Sequence, residues 1–133
     1  MHASLWIAAI AVALLATNVR ANDPEQIERG RYLANDVAKC VECHTPRDGN
    51  GNLERSQLFR GAPIPVGTPP FLATSDWALR APQISGGAVN TIIVPILTTG
   101  RRTTGEVPRR PMPTFHMSQE DAEAVAAYLR SLP

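Results

Sequence analysis

Cys40-Val41-Glu42-Cys43-His44 decides how the rest of this sequence is read. Cys40 and Cys43 are its only cysteines, and they stand three residues apart, so on a helix both thiols lie on one face and can reach one edge of the same group. His44 follows at once and brings an imidazole to the same place. Two other chemistries use cysteines at this spacing. A dithiol redox pair needs a βαβ setting, yet no alternating apolar strands flank the motif and the residues after His44 are turn formers. A zinc site needs four ligands, and the remaining histidines, His2 and His116, supply at most one in a mature chain.

A covalently held porphyrin accounts for all three residues. The pentapeptide is the attachment signature of a c-type haem, and through it the sequence resembles the class I c-type cytochromes. The resemblance implies one haem c, bound by thioethers from Cys40 and Cys43 to the two vinyl groups of one porphyrin edge, with His44 as proximal ligand. The opposite face then needs a soft or imidazole ligand well downstream. Met112 lies 68 residues after His44, inside Arg110-Pro111-Met112-Pro113-Thr114-Phe115, where prolines stiffen the backbone on both sides. A Met-Pro pair shortly before a capped carboxy-terminal helix is similar to the family's distal-ligand segment, which carries that role to Met112. Met117 and His116 are rivals. Met117 directly precedes a helix cap and reads as a hydrophobic staple or core residue. His116 gives bis-imidazole coordination and a lower reduction potential, and otherwise reads as an exposed loop histidine.

Working outward, Asp23-Pro24-Glu25-Gln26 starts a helix: Asp23 caps it, Pro24 suits its first position and Gln26 completes a capping box. Ile27, Gly30, Ala34 and Val37 share a stripe at helical spacing, and Leu33, Val37 and Cys40 point toward the attachment site. At the other end, Ser118-Gln119-Glu120-Asp121 caps a helix whose apolar stripe is Ala122, Val125, Ala126, Leu129 and Leu132. Acidic residues in its first turn and Arg130 near its end suit the helix dipole. In class I cytochromes the first and last helices cross closely; Gly30 resembles the small contact residue there, and Tyr128 its aromatic partner.

From Thr45 to Ala88 the chain has six prolines, six glycines and little periodicity, with a turn cluster at Asp48-Gly49-Asn50-Gly51-Asn52. A connection this long is expected only where it wraps a ligand that completes the core. Leu58, Phe59, Ile64, Val66, Phe71, Leu72, Trp77 and Leu79 are the candidates to cover the porphyrin. Trp77 and Arg80 are candidates to bond its carboxylates, and Pro46 and Pro63 to offer a carbonyl to the second ring nitrogen of His44. Asn90 to Thr99 carries Ile92, Ile93, Ile96 and Leu97 at helical period, but Pro95 predicts a kink or restart, and Gly100 a carboxy-terminal cap. Arg101, Arg102, Arg109 and Arg110 form a basic cluster flanking the approach to Met112. They suit either an acidic partner or solvent.

The remainder of the sequence sets the compartment. Leu5 to Ala16 is a twelve-residue apolar run, short for a membrane span, and Val19 and Ala21 are the small residues of an export cleavage site. Residues 1–21 are therefore expected to be a signal peptide and 22–133 the cytochrome c domain. No Lys or Arg precedes the run, so an uncleaved membrane anchor is the alternative. Of 13 basic residues Arg20 leaves with the leader, and the remaining 12 balance 12 acidic ones, which argues against nucleic acid as a partner.

The expected fold is all-α, a small cytochrome c fold with short helices and long loops around one covalent haem. The resemblance implies a periplasmic electron carrier rather than an enzyme, with a periplasmic dehydrogenase and a terminal oxidase or other cytochrome as redox partners. Cys-His-Thr-Pro-Arg (43–47) and Leu-Thr-Thr-Gly-Arg (97–101) resemble cytochrome subunits of such dehydrogenases. The rival class is a haem enzyme or gas sensor, which needs a displaceable sixth ligand.

Overall fold

Asp23 opens the first helix by the route its side chain suggests, its carboxylate accepting the backbone N–H of Glu25 at 3.1 Å with Pro24 in the first turn of α1 (Pro24–Tyr32). This computed structural model describes residues 23–87 and 90–133; the expected leader and its cleavage point lie outside them. The second half of the expected box is missing, because the side-chain oxygen of Gln26 is buried with no hydrogen-bond partner among the described residues.

The first helix does not run straight into the cysteines. Leu33–Val37 is a π turn, closed by Ala38 N–H to the Leu33 carbonyl at 2.8 Å. One extra residue in the turn shifts the register that 3.6 periodicity assumes. Val37, expected on the inner stripe, is consequently 53% exposed, while Leu33 and Ala34 stay buried. The Asn35 amide holds this turn, donating to the Arg31 carbonyl at 2.9 Å and to the Tyr128 hydroxyl at 3.2 Å. Lys39 then takes a left-handed conformation and turns the chain into α2 (Cys40–His44).

After the loop come α3 (Asn90–Thr99) and α4 (Gln119–Ser131). Pro95 neither breaks nor restarts α3. The carbonyl that its missing N–H would have met belongs to Thr91, an exposed residue where water can serve instead, while Ile93 and Leu97 anchor the helix in the core. Ser118 Oγ accepts the Asp121 N–H at 3.1 Å and caps α4. α1 and α4 cross at Gly30, where a Cβ would stand 1.9 Å from the Ala124 carbonyl oxygen and 2.9 Å from Tyr128 Cβ. Arg29 and Asp121 close one edge of the crossing at 2.6 Å, and Phe59 meets Tyr128 edge-on with ring centroids 5.9 Å apart.

The long connection is irregular but tied down. The Asp48 carboxylate accepts the N–H groups of Asn50 and Asn52 at 2.9 Å, the local bonding that makes Asp a turn former. One short antiparallel ribbon, β1 (Ala62–Pro63) and β2 (Arg80–Ala81), pairs Ala62 with Ala81. That ribbon and two isolated β-bridges, Arg47 with Leu53 and Trp77 with Arg110, are the departures from helical structure among the described residues.

Candidate functional site

The π turn, the left-handed Lys39 and the short α2 set both cysteines and His44 on the wall of one cavity. Its volume is about 610 Å³, within the range of cofactor pockets. Another part of the wall comes from a distant part of the chain, Pro108 to Phe115, and includes Met112. The ribbon and its neighbours supply Gly61, Ile64, Ala81 and Pro82. Residues 68 positions apart thus meet across a largely apolar space.

His44 is buried, and its Nδ1 lies 2.8 Å from the Pro82 carbonyl oxygen. A carbonyl can only accept, so Nδ1 carries the proton and Nε2 keeps its lone pair. Burial pulls the imidazole below its ordinary pKa, and the bond to Pro82 opposes this more weakly. His44 is therefore neutral at neutral pH, the form that can ligate a metal. The acceptor is Pro82, neither Pro46 nor Pro63; the Pro46 carbonyl is engaged by the Glu54 N–H. Nothing in a residue's identity marks which carbonyl will be used, so this partner was not readable from sequence.

Burial also pushes the Cys40 thiol up to about 11, partly offset by a backbone hydrogen bond and raised further by Cys43. A dithiol catalyst requires the opposite, a depressed thiol pKa. Among the described residues no group of three His, Cys, Asp or Glu side chains is placed to hold a metal ion, which leaves the zinc reading without further ligands.

The rivals of Met112 lie elsewhere. Met117 packs against the hydrophobic core and donates its N–H to the Leu97 carbonyl at 2.8 Å, and His116 is exposed; neither lines the cavity. The backbone leading into Met112 is pinned by Ala78 N–H to the Arg110 carbonyl at 2.7 Å and by Met112 N–H to the Arg109 carbonyl at 3.3 Å.

Positive charge predominates on the cavity wall, where Lys39 and four arginines stand against the single carboxylate of Glu42. Arg29, Arg31 and Arg47 are paired with Asp121, Glu28 and Glu42. Arg60, Arg80, Arg102 and Arg109 line the cavity, and their guanidinium groups have no carboxylate partner among the described residues. An apolar slot with two thiols, a neutral imidazole, a thioether and uncompensated guanidiniums suits a porphyrin with its two carboxylates. Of the two residues expected to bond those carboxylates, Arg80 lines the cavity. Trp77 is not, because its indole N–H is spent on the Val66 carbonyl at 3.2 Å. Arg60 lines the cavity as well, and no motif around it marks that position. Of the apolar loop residues expected to cover the cofactor, Ile64 lines the cavity, Phe59 is in the core, and Phe71 and Leu79 are 84% and 75% exposed.

Comparison with known proteins gives the same picture at the level of sequence. The family described as Cytochrome c matches residues 27–133. A diheme cytochrome c-type protein of Cereibacter sphaeroides is 36% identical over 116 residues, covering 83% of this chain and 36% of that protein. The cytochrome c subunit of a quinone alcohol dehydrogenase of Gluconobacter oxydans is 34% identical over 125 residues, covering 84% and 25%. The cytochrome subunit of a fructose dehydrogenase of Gluconobacter japonicus is 30% identical over 117 residues, covering 79% and 22%. The chain thus spans between about a fifth and about a third of the length of these relatives.

Proposed function

The chain belongs to the cytochrome c family, and from that premise we propose that it is a periplasmic monohaem c-type cytochrome that carries single electrons. In this reading residues 1–21 direct export and are removed, Cys40 and Cys43 hold the haem through thioethers, and His44 and Met112 are its axial ligands. The observation that carries the proposal is that Cys40, Cys43, His44 and Met112 all line one cavity.

Haem, when bound, supplies the one-electron couple. What the chain adds is the environment. Pro82 fixes the tautomer and ring orientation of His44. The prolines beside Met112 and the backbone bonds from Ala78 and from Met112 itself steady the segment that would present the thioether to the haem. A thioether opposite an imidazole raises the potential, and an apolar wall keeps water from the site. Arg60 and Arg80, which line the cavity, would compensate the carboxylates of the bound group. With both axial positions filled no substrate needs to bind iron, so the activity is outer-sphere transfer and not catalysis on a substrate. Tight carbon monoxide binding by the reduced protein at neutral pH would instead indicate the displaceable sixth ligand of a haem enzyme or sensor.

The names of the relatives from Gluconobacter support a dehydrogenase as electron donor; the proposed acceptor is a terminal oxidase or another cytochrome. The docking face in this proposal is the rim where Arg102 and Arg109 line the cavity and the exposed Arg101 and Arg110 extend it. Reversal of Arg109 and Arg110 to Glu is expected to slow reduction by a copurified dehydrogenase about tenfold at low ionic strength, and much less at high salt, because a basic rim acts by steering encounter. An unchanged rate with an unchanged salt slope removes the rim from the docking face.

A further inference from the structure

The carboxy-terminal turn of α3 makes no contact with the cavity, yet it meets the segment that carries Met112 at two points. Gly100, which ends α3 at a φ of +73°, lies against Thr114, and a Cβ built on it would stand 2.5 Å from Thr114 Cγ2. Three residues earlier in the helix, the Leu97 carbonyl accepts the Met117 N–H at 2.8 Å. The other side of the segment is fastened by Ala78 N–H to the Arg110 carbonyl. Met112 therefore sits on a short bridge, Arg110 to Met117, between two fixed abutments.

We propose that Gly100 is a positioning residue for Met112: its missing side chain lets Thr114 close against α3 and so sets how far the thioether reaches into the cavity. The proposal rests on Met112 being the distal ligand. Thr114 is β-branched, and one of its two other staggered χ1 positions only exchanges its methyl for its hydroxyl without clearing the space. In the rotamers that leave a γ atom facing α3, a methyl group at position 100 displaces Thr114, and Met112 two residues before it, toward or away from the ligated position. The left-handed backbone at Gly100 adds a separate cost for any side chain, whatever the space.

Those two effects separate in a variant set of Gly100→Ala, Thr114→Ser and the double variant, since Ser lacks Cγ2 and its single γ atom can rotate aside. The probe is imidazole added to the oxidised holoprotein, whose binding rate reports opening of the methionine–iron bond, alongside the methionine-to-iron charge-transfer band and the melting temperature. Gly100→Ala is expected to speed imidazole binding about tenfold, as overpacking of moderate cost does when it falls on one equilibrium. The double variant is expected to return to within about twofold of Thr114→Ser while keeping the lowered melting temperature, because backbone strain is common to both alanine variants. An unchanged rate in Gly100→Ala, or a fast rate that persists in the double variant, overturns the proposal. A wild-type protein with no charge-transfer band overturns Met112 ligation first, which is a distinguishable result.

Discussion

Gly30→Ala destabilises the folded protein by about 2–3 kcal/mol, even though Ala is the better helix former by roughly 0.5–1 kcal/mol. The two effects have opposite signs, and geometry decides between them. The added methyl would stand 1.9 Å from a backbone carbonyl oxygen, that of Ala124, and backbone in the middle of α4 cannot rotate aside as a side chain could. Relief requires α1 and α4 to separate, which loosens the Asn35–Tyr128 bond and the Arg29–Asp121 pair together. For a domain of this size the loss corresponds to a fall in melting temperature on the order of 10 °C. Thermal unfolding of the holoprotein followed by circular dichroism measures it; a melting temperature equal to or above that of the wild type would mean that the helices do not cross as closely as described.

Met112→Ala abolishes the methionine-to-iron charge-transfer band of the oxidised protein, whereas Met117→Ala leaves it. Met112 lines the cavity, and Met117 faces the core with its N–H committed to Leu97. Loss of the thioether also lowers the reduction potential, by a part of the roughly 0.8 V range that axial ligands command. It opens the sixth position to carbon monoxide as well. Met117→Ala acts instead on stability, as a partly buried side chain cut back to a methyl does. The reverse pattern, with the band lost only in Met117→Ala, would transfer the ligand role and require a different path for the segment after Arg110.

What could be read from residues alone followed from how local the determining physics is. The cap of α4 at Ser118, the cap of α1 at Asp23 and the turn at Asp48 depend on side chains bonding backbone a few residues away, and each was legible. The small residue at the α1–α4 crossing was legible through a family pattern. The π turn was not, since nothing in Leu33 to Val37 distinguishes a five-residue turn from a continued helix, and it displaced Val37 from the face that periodicity assigned. At the site, Cys40, Cys43, His44 and Met112 were identified as candidates by chemistry and spacing, and the structure brings them to one cavity. Pro82 and Arg60 were invisible because their roles depend on where the long loop returns, which is set by the ribbon and by Gly61 N–H to the His44 carbonyl, not by local pattern. Trp77 failed as a candidate for the same reason: the loop found it a carbonyl of its own.

The account stands or falls on a haem joined covalently to Cys40 and Cys43. Protein exported by a host competent in cytochrome maturation should give a pyridine haemochrome spectrum for one haem c per chain, and an intact mass equal to residues 22–133 plus a single haem. Colourless protein whose two thiols both remain free to alkylate would contradict it.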